Sequence, residues 1–368
     1  MLKFKSMNFT CKNCGAPLRF SPLSKTLLCE FCNTEESIEI SNEKIESYSF
    51  DIERSVVKKE KKEAIPKSVT CAKCSATFTS SPQMISSNCP YCNAPIIIEF
   101  IQKIRPKSLL PFHISQEEAQ KRFKKWIGSL WFAPSQLKKL IKGTYKLKGY
   151  YLPYWLYNAT TDTSYYGERG DIYYVQVERT VMVNGREERQ RVQESRIRWS
   201  PVSGKVHNQF DNVTIGASKR VSEPILENLN PWESNHLTPF NKKYLLGFDS
   251  EEYTIELDSG FESAKVKMQY VIRNDIKRKI GGDQQRIHQI KTNYYHTTYK
   301  STLFPLWTAQ FKWKDKNYTY AINGQTGKVT GERPYSWLKI IALILTISLL
   351  IGGAVYIDAH PELFKNYL

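Results

Sequence analysis

CKNCGAPLRFSPLSKTLLCEFCN at residues 11–33 and CAKCSATFTSSPQMISSNCPYCN at 71–93 decide how this chain is read. Each stretch holds two Cys-x2-Cys pairs, Cys11/Cys14 with Cys29/Cys32 and Cys71/Cys74 with Cys89/Cys92, separated by fourteen residues in both cases. At an offset of sixty residues Ala16/Ala76, Ser21/Ser81, Pro22/Pro82 and Asn33/Asn93 also match, and Phe31 stands opposite Tyr91, so the segment reads as a duplicated unit. Paired knuckles of this spacing, brought together by a short β-hairpin, offer four thiolates tetrahedrally to Zn2+. All eight cysteines are therefore predicted metal ligands, holding two structural zinc ions as the cofactors. Gly15, Asn33 and Asn93 follow knuckle cysteines, where a positive φ is needed and where Gly and Asn tolerate it best. Disulfides and redox-active pairs are the alternatives; a reducing compartment disfavours the first, and redox pairs need not come in matched twos. A closed site of four cysteines leaves no position for water, so zinc chemistry on a substrate is not predicted.

Outward from the cysteines, 368 residues are more than one ordinary domain, and 41% apolar with 13% aromatic residues suffice for a real core. Wholesale disorder is excluded. The opening Met1-Leu2-Lys3-Phe4-Lys5 lacks the apolar run of a secretory signal, which places the thiols in the reducing cytosol.

At the other end, Ile340 to Ile357 is eighteen residues without a charge, about 27 Å of helix against a bilayer core of roughly 30 Å. It reads as one transmembrane helix, with Tyr335, Trp337 and Tyr356 at interfacial positions and Lys339 able to snorkel outward. Lys328, Arg333 and Lys339 precede the span and Lys365 alone follows it, so the large N-terminal part is predicted to stay cytoplasmic at the cell membrane.

The formal charge of +17 is unevenly placed, since residues 101–148 carry twelve Lys/Arg against Glu117 and Glu118. Ser115 with Glu118 makes a capping box, after which Ala119, Phe123, Trp126, Ile127, Leu130 and Trp131 recur at helical spacing. Lys121, Arg122, Lys124 and Lys125 fall largely on the other face, and a second short helix from Pro134-Ser135 carries Lys138, Lys139 and Lys142. These seven cations form a candidate membrane-surface or anion-binding set, because a basic group near anionic headgroups gains about 1 kcal/mol. The plainer reading is the solvated side of a core-packed helix pair, and nucleic-acid binding is a third. The ribbons themselves are poor nucleic-acid readers, with a net −2 at each zinc site and one lysine, Lys73, beside the second.

Residues 149–335 read as a β-rich α+β body. Alternation over Tyr173–Val177 and Val192–Trp199, joined through Asn184-Gly185, predicts a hairpin, and Phe261–Ile280 predicts a helix stopped by Gly281-Gly282. Strands are predicted over Ile287–Tyr299, Leu303–Trp313 and Tyr318–Ile322. Two phrases recur, Tyr151-Leu-Pro-Tyr-Trp155 against Leu303-Phe-Pro-Leu-Trp307 and Ser203-Gly-Lys-Val206 against Thr326-Gly-Lys-Val329, which leaves open two related β halves or coincidence. No catalytic residues are predicted. Histidines 113, 207, 236, 288, 296 and 360 form no H-E-x-x-H pair, there is no G-x-S-x-G or G-x-G-x-x-G, and Gly324–Val329 lacks the spacing of a phosphate loop.

With the ribbons, YLPYWLYNATTDTSYYGERGD (151–171), RWSPVSGKV (198–206), IGGDQQRIH (280–288) and INGQTGKVTGERPYSW (322–337) before a terminal span, the sequence resembles the bacterial membrane family of TFIIB-type zinc ribbon-containing proteins. Some members of that family carry a primosomal helicase label, which does not transfer to a chain without a nucleotide-binding loop. The resemblance implies protein partners of the SPFH and phage-shock type and a role in envelope stress. The expected architecture is thus multi-domain: zinc ribbon 1 (1–40), a charged linker (41–68), zinc ribbon 2 (69–104), a basic amphipathic helical segment (105–148), the β-rich α+β body (149–335), a transmembrane helix (336–358) and an extracytoplasmic tail (359–368). The expected function is a non-enzymatic, single-pass membrane protein that recruits or scaffolds other proteins; a membrane-tethered nucleic-acid binder is the alternative.

Overall fold

The architecture comes from a computed structural model, which describes residues 2–7, 9–39, 41, 43–57, 66–100, 104–135, 147–183 and 186–359. The Asn184-Gly185 turn, the second basic helix with Lys138, Lys139 and Lys142, and His360 with the tail lie outside the described residues.

The chain opens with β1 (Leu2–Lys5) and then the first ribbon, β2 (Leu18–Ser21), β3 (Thr26–Cys29) and β4 (Glu35–Glu36), a small antiparallel sheet. The stretch expected to be a charged linker carries two elements, β5 (Tyr48–Ser49) and α1 (Phe50–Val57). Its apolar residues explain why: Phe50 is buried against Tyr157 and Phe261, and β5 pairs with Thr298 and Tyr299 of the body. The second ribbon is β6 (Lys67–Thr70), β7 (Thr77–Ser80), β8 (Met84–Asn88) and β9 (Pro95–Ile97), and β1 joins it by pairing parallel to β6. β10 (Ser108–Leu109) leads into α2 (Gln116–Ser129). Ser115 Oγ caps α2 by accepting from the Glu118 N–H at 3.2 Å, and Ala119, Phe123 and Ile127 form its buried stripe.

The body is dominated by strands much longer than the fragments predicted for it. β11 (Lys148–Val183, 36 residues) returns as β12 (Arg186–Gly216, 31 residues), and a short helix α3 (Glu223–Asn228) and strand β13 (Thr238–Pro239) precede β14 (Asp249–Glu251). After helix α4 (Leu257–Ile280), β15 (Gln284–Trp313) runs antiparallel to β11, followed by β16 (Lys316–Asn323) and β17 (Val329–Gly331). The strand phrase that recurs is a paired feature: Pro153 stands opposite Leu303 and Tyr151 opposite Pro305, on neighbouring strands. The Gly-Lys-Val phrase is not, since Ser203–Val206 sits in mid-strand of β12 while Thr326 and Gly327 lie between β16 and β17.

α4 covers one face of this sheet. Leu257, Phe261, Ala264, Met268, Ile272, Ile276 and Ile280 recur every three or four residues and are buried against Trp155, Tyr157 and Phe210. Gly260 permits the approach, because a Cβ there would stand 2.5 Å from Tyr157 Oη, and Gly281 ends the helix with φ 69° as the sequence predicts. α5 (Trp337–Ala359) is the terminal apolar helix, 23 residues or about 34 Å long, fully outside the core and long enough to cross a membrane.

The ribbons are not beads on a string. Leu18, Phe20 and Leu27 of the first and Ile85 and Ile97 of the second share one buried cluster with Phe112, Tyr151, Phe248 and Trp307 of the body. Units this small cannot enclose a sufficient core alone, and here they bury apolar faces on a larger one.

Candidate metal centres

Each knuckle is a tight turn in which the first cysteine carbonyl accepts from the residue four positions on: Gly15, Asn33, Ser75 and Asn93 donate to Cys11, Cys29, Cys71 and Cys89, each at 2.9 Å. All four donors take positive φ, between 55° and 73°. Three of them match the sequence reading; Ser75 escaped it because serine is not a usual left-handed residue. The turns aim the sulfurs inward. Within each set the four Sγ atoms all lie within 4.8 Å of one another, with Cys11–Cys32 at 3.6 Å, Cys14–Cys29 at 3.4 Å, and Cys71–Cys92 and Cys74–Cys89 both at 3.8 Å. A tetrahedron with metal–sulfur distances of about 2.3 Å spaces its corners about 3.8 Å apart. Disulfides, which need sulfurs at about 2.05 Å, are absent from both clusters. The donor set therefore fits zinc.

Before metal enters, protons are shared unevenly among the sulfurs. The Thr34 hydroxyl and N–H hold Cys32 down at about 6, while at Cys14 the Ala16 N–H pulls downward and is outweighed by the sulfurs of Cys32 and Cys29, leaving it near 12. In the second cluster burial pushes Cys71 up, and the N–H groups of Cys74 and Lys73 more than offset it, to about 7.

Sequence spacing did not reveal how the two centres are joined. Arg19 of the first ribbon donates to Asn88 Oδ1 at 3.2 Å and to the Asn93 carbonyl at 2.8 Å in the second, and Lys73 Nζ lies 5.9 Å from the Phe31 ring centroid. Phe20 packs edge-on to Tyr244 at 5.0 Å and donates its N–H to the Leu246 carbonyl. Ser86 and Ser87 donate to the Phe248 carbonyl and Asp249 Oδ1, both at 2.9 Å. Lys67 is wholly buried at this seam, donating to the Met84 carbonyl at 2.8 Å with Glu252 at 3.9 Å, and burial lowers its pKa while Glu252 pulls it back up. A cleft of about 540 Å³ lies where both ribbons meet the body, lined by Arg19, Leu23, Asn88, Glu117, Lys148 and Trp307. Phe31 and Tyr91, equivalent residues of the two knuckles, stay 73% and 69% exposed.

Four of the seven cations of the basic set lie among the described residues, all on α2. Lys121, Lys124 and Lys125 are exposed on α2, as is Arg122, which donates to Glu118 at 2.8 Å and to the Thr326 carbonyl at 3.1 Å. Lys339, expected to snorkel, instead donates to the carbonyls of Trp131 at 3.1 Å and Ala133 at 2.8 Å, because those groups at the end of α2 lie beside the base of α5. Trp131, placed by periodicity on the apolar face, points out of it and is 75% exposed. The phosphate-loop look-alike is an Asn-capped turn: Asn323 Oδ1 takes the Gln325 and Thr326 N–H groups at 2.8 and 3.0 Å. Among the described residues no histidine joins a metal-ligating group; the His113 ring has its pKa lowered by burial and then by Lys25 and His236, and its main-chain N–H donates to the Gly324 carbonyl.

Compared with known proteins, the chain is 22% identical over 374 aligned residues to uncharacterized protein YdjG of Bacillus subtilis (strain 168), covering 94% of this chain and 99% of the relative. No family model and no solved structure matches.

Proposed function

We propose that this is a non-enzymatic, single-pass membrane protein whose two zinc centres brace a cytoplasmic platform on which other proteins assemble. The observation that carries the reading is that the ribbons bearing both four-thiolate cages are packed against the body, and that residues 131–133, after the α2 that shares this core, are bonded through Lys339 and Ser336 to the base of the apolar helix. Closed cages supply rigidity rather than reactivity. The exposed Phe31 and Tyr91 on the two knuckles supply the aromatic anchors that protein interfaces favour. The excess of Lys and Arg before the span supports a cytoplasmic body. On this reading the partners are membrane-associated scaffold proteins of the SPFH or phage-shock kind, the class that the family resemblance implies.

Chemical cross-linking in intact membranes, followed by detergent extraction, tests the proposal. Phe31→Ser/Tyr91→Ser, which leaves every cysteine in place, is expected to retain both zinc ions and lose the cross-linked protein partners. Undiminished partner recovery from that variant would discard the knuckles as the docking surface.

A further inference from the structure

The place where α5 leaves the body carries a surface the platform reading does not use. Trp131, Tyr335, Trp337 and Leu338 are all exposed there, Trp337 at 76% and Leu338 at 81%. Clustered large apolar groups are uncommon on a soluble monomer, and Trp and Tyr concentrate at the headgroup level of bilayers. Trp131 is fixed at that level by its neighbours. Besides the two Lys339 bonds, the Ser336 N–H donates to the Phe132 carbonyl at 2.8 Å, so residues 131–133 stand beside the first turn of the apolar helix.

Cations lie near this spot. Arg333 lies 5.4 Å from the Tyr335 ring centroid and donates to its hydroxyl at 3.2 Å. Lys124 and Lys125 are exposed near the end of α2, which stops at Ser129, two residues before Trp131, so their Cα atoms lie within about 16 Å of that of Trp131. That bound is about two Debye lengths, and a lysine stem reaching toward the surface shortens it. The acidic residues of α2, Glu117 and Glu118, occupy its opposite end, where Glu118 is paired with Arg122.

We propose that Trp131, Tyr335 and Trp337, with Lys124, Lys125 and Arg333, form a collar that seats the body on an anionic lipid leaflet. The collar rests on α5 spanning the membrane, and it deepens that reading: the aromatic rings lie among the headgroups and the three cations meet lipid phosphates. A flexible tether would leave the body free to tumble; the bonds from Lys339 and Ser336 hold it in one orientation, with the collar against the surface.

The test uses the full-length protein in nanodiscs of phosphatidylcholine or of equal parts phosphatidylcholine and phosphatidylglycerol, with either lipid brominated on its chains to quench tryptophan. Quenching by brominated phosphatidylglycerol is expected to exceed that by brominated phosphatidylcholine, and Trp131→Phe to remove part of it. Removing two interfacial cations, in Lys124→Gln/Lys125→Gln, is expected to reduce the preference for the anionic lipid by roughly thirtyfold in relative association constant. Zinc content of two ions per chain in the variant shows that it is folded. Equal quenching by both lipids in the embedded wild type overturns the collar while leaving the membrane span intact. A protein that stays soluble without detergent or lipid overturns the span itself, and the collar with it. Lysine-dependent retention of a DNA or RNA oligonucleotide without any lipid preference overturns the collar in favour of the nucleic-acid reading.

Discussion

Replacing Glu252 by Gln removes the negative charge beside Lys67, whose buried Nζ stands 3.9 Å from that carboxylate and 2.8 Å from the Met84 carbonyl. At that separation, with an effective dielectric constant of about 20, the attraction is about 4 kcal/mol. Removing one partner of a buried pair costs about 3–5 kcal/mol, because the remaining charge keeps its desolvation penalty. The stranded ammonium has one escape, to shed its proton. From a usual pKa of 10.5 this costs about 4.8 kcal/mol at pH 7 and about 2 kcal/mol at pH 9, which caps the part of the loss that comes from the stranded charge. The sign follows from burial, which already lowers the folded-state pKa of Lys67. The folded state then binds its proton less tightly than the unfolded chain, so the penalty is fully present below the folded pKa and is relieved as pH rises through it toward 10.5. Urea unfolding of the zinc-loaded protein in mild detergent, followed by circular dichroism and by zinc release to a chromogenic chelator, measures the difference at both pH values. Lys67→Met/Glu252→Leu is expected to recover most of the loss, since apolar replacement of a whole buried pair is often neutral. A Glu252→Gln variant within about 0.5 kcal/mol of wild type at pH 7, or a deficit that fails to shrink at pH 9, refutes the reasoning.

Cys71→Ser/Cys74→Ser is expected to lower zinc from two ions to one per chain by elemental analysis, with amide exchange rising across residues 67–97 and remaining protected in the first ribbon. Gly260→Ala would place a Cβ 2.5 Å from Tyr157 Oη and 2.7 Å from Trp155 Cδ1, side chains held by their own bonds to the Leu257 and Ile255 carbonyls. Overpacking of about 1–3 kcal/mol then outweighs the helix-propensity gain of about 1 kcal/mol, and chemical denaturation should show net destabilisation. Lys339→Met leaves the Trp131 and Ala133 carbonyls without its ammonium, and faster amide exchange over residues 336–340 is the expected sign of a loosened joint.

What was legible in the sequence was local. Eight sulfurs could be assigned because a Cys-x2-Cys turn builds its own geometry within five residues, and α4 because its apolar residues recur every three or four positions up to a glycine stop. The long strands were seen in fragments, since Gly167, Gly170 and Pro201 look like breaks although pairing carries β11 and β12 straight past them. The seams between ribbons and body could not be read at all: Ser86 meets Phe248 across 162 residues, and neither residue type announces a partner. Lys67 misleads for a related reason. A lysine at the end of a charged stretch looks solvated, and its burial depends on Glu252, far along the chain. Nor does spacing show that Arg122 bonds the Thr326 carbonyl, 204 residues along the chain.

The β11–β12 hairpin continues past the end of β15 for thirteen residue pairs, from Asp171 opposite Arg198 to Val183 opposite Arg186, a two-stranded arm of about 40 Å. Among the described residues no third strand pairs with the outer edge of β12. Bare main-chain amides of this extent invite indiscriminate stacking between molecules, and the arm answers with Glu178 facing Arg191 and with Arg179 and Arg196 beside Glu194. Such exposed pairs add little to folding energy, but they impose an ionic pattern that any added strand must match. The arm thus pairs long bare edges with side chains that penalise indiscriminate strand addition.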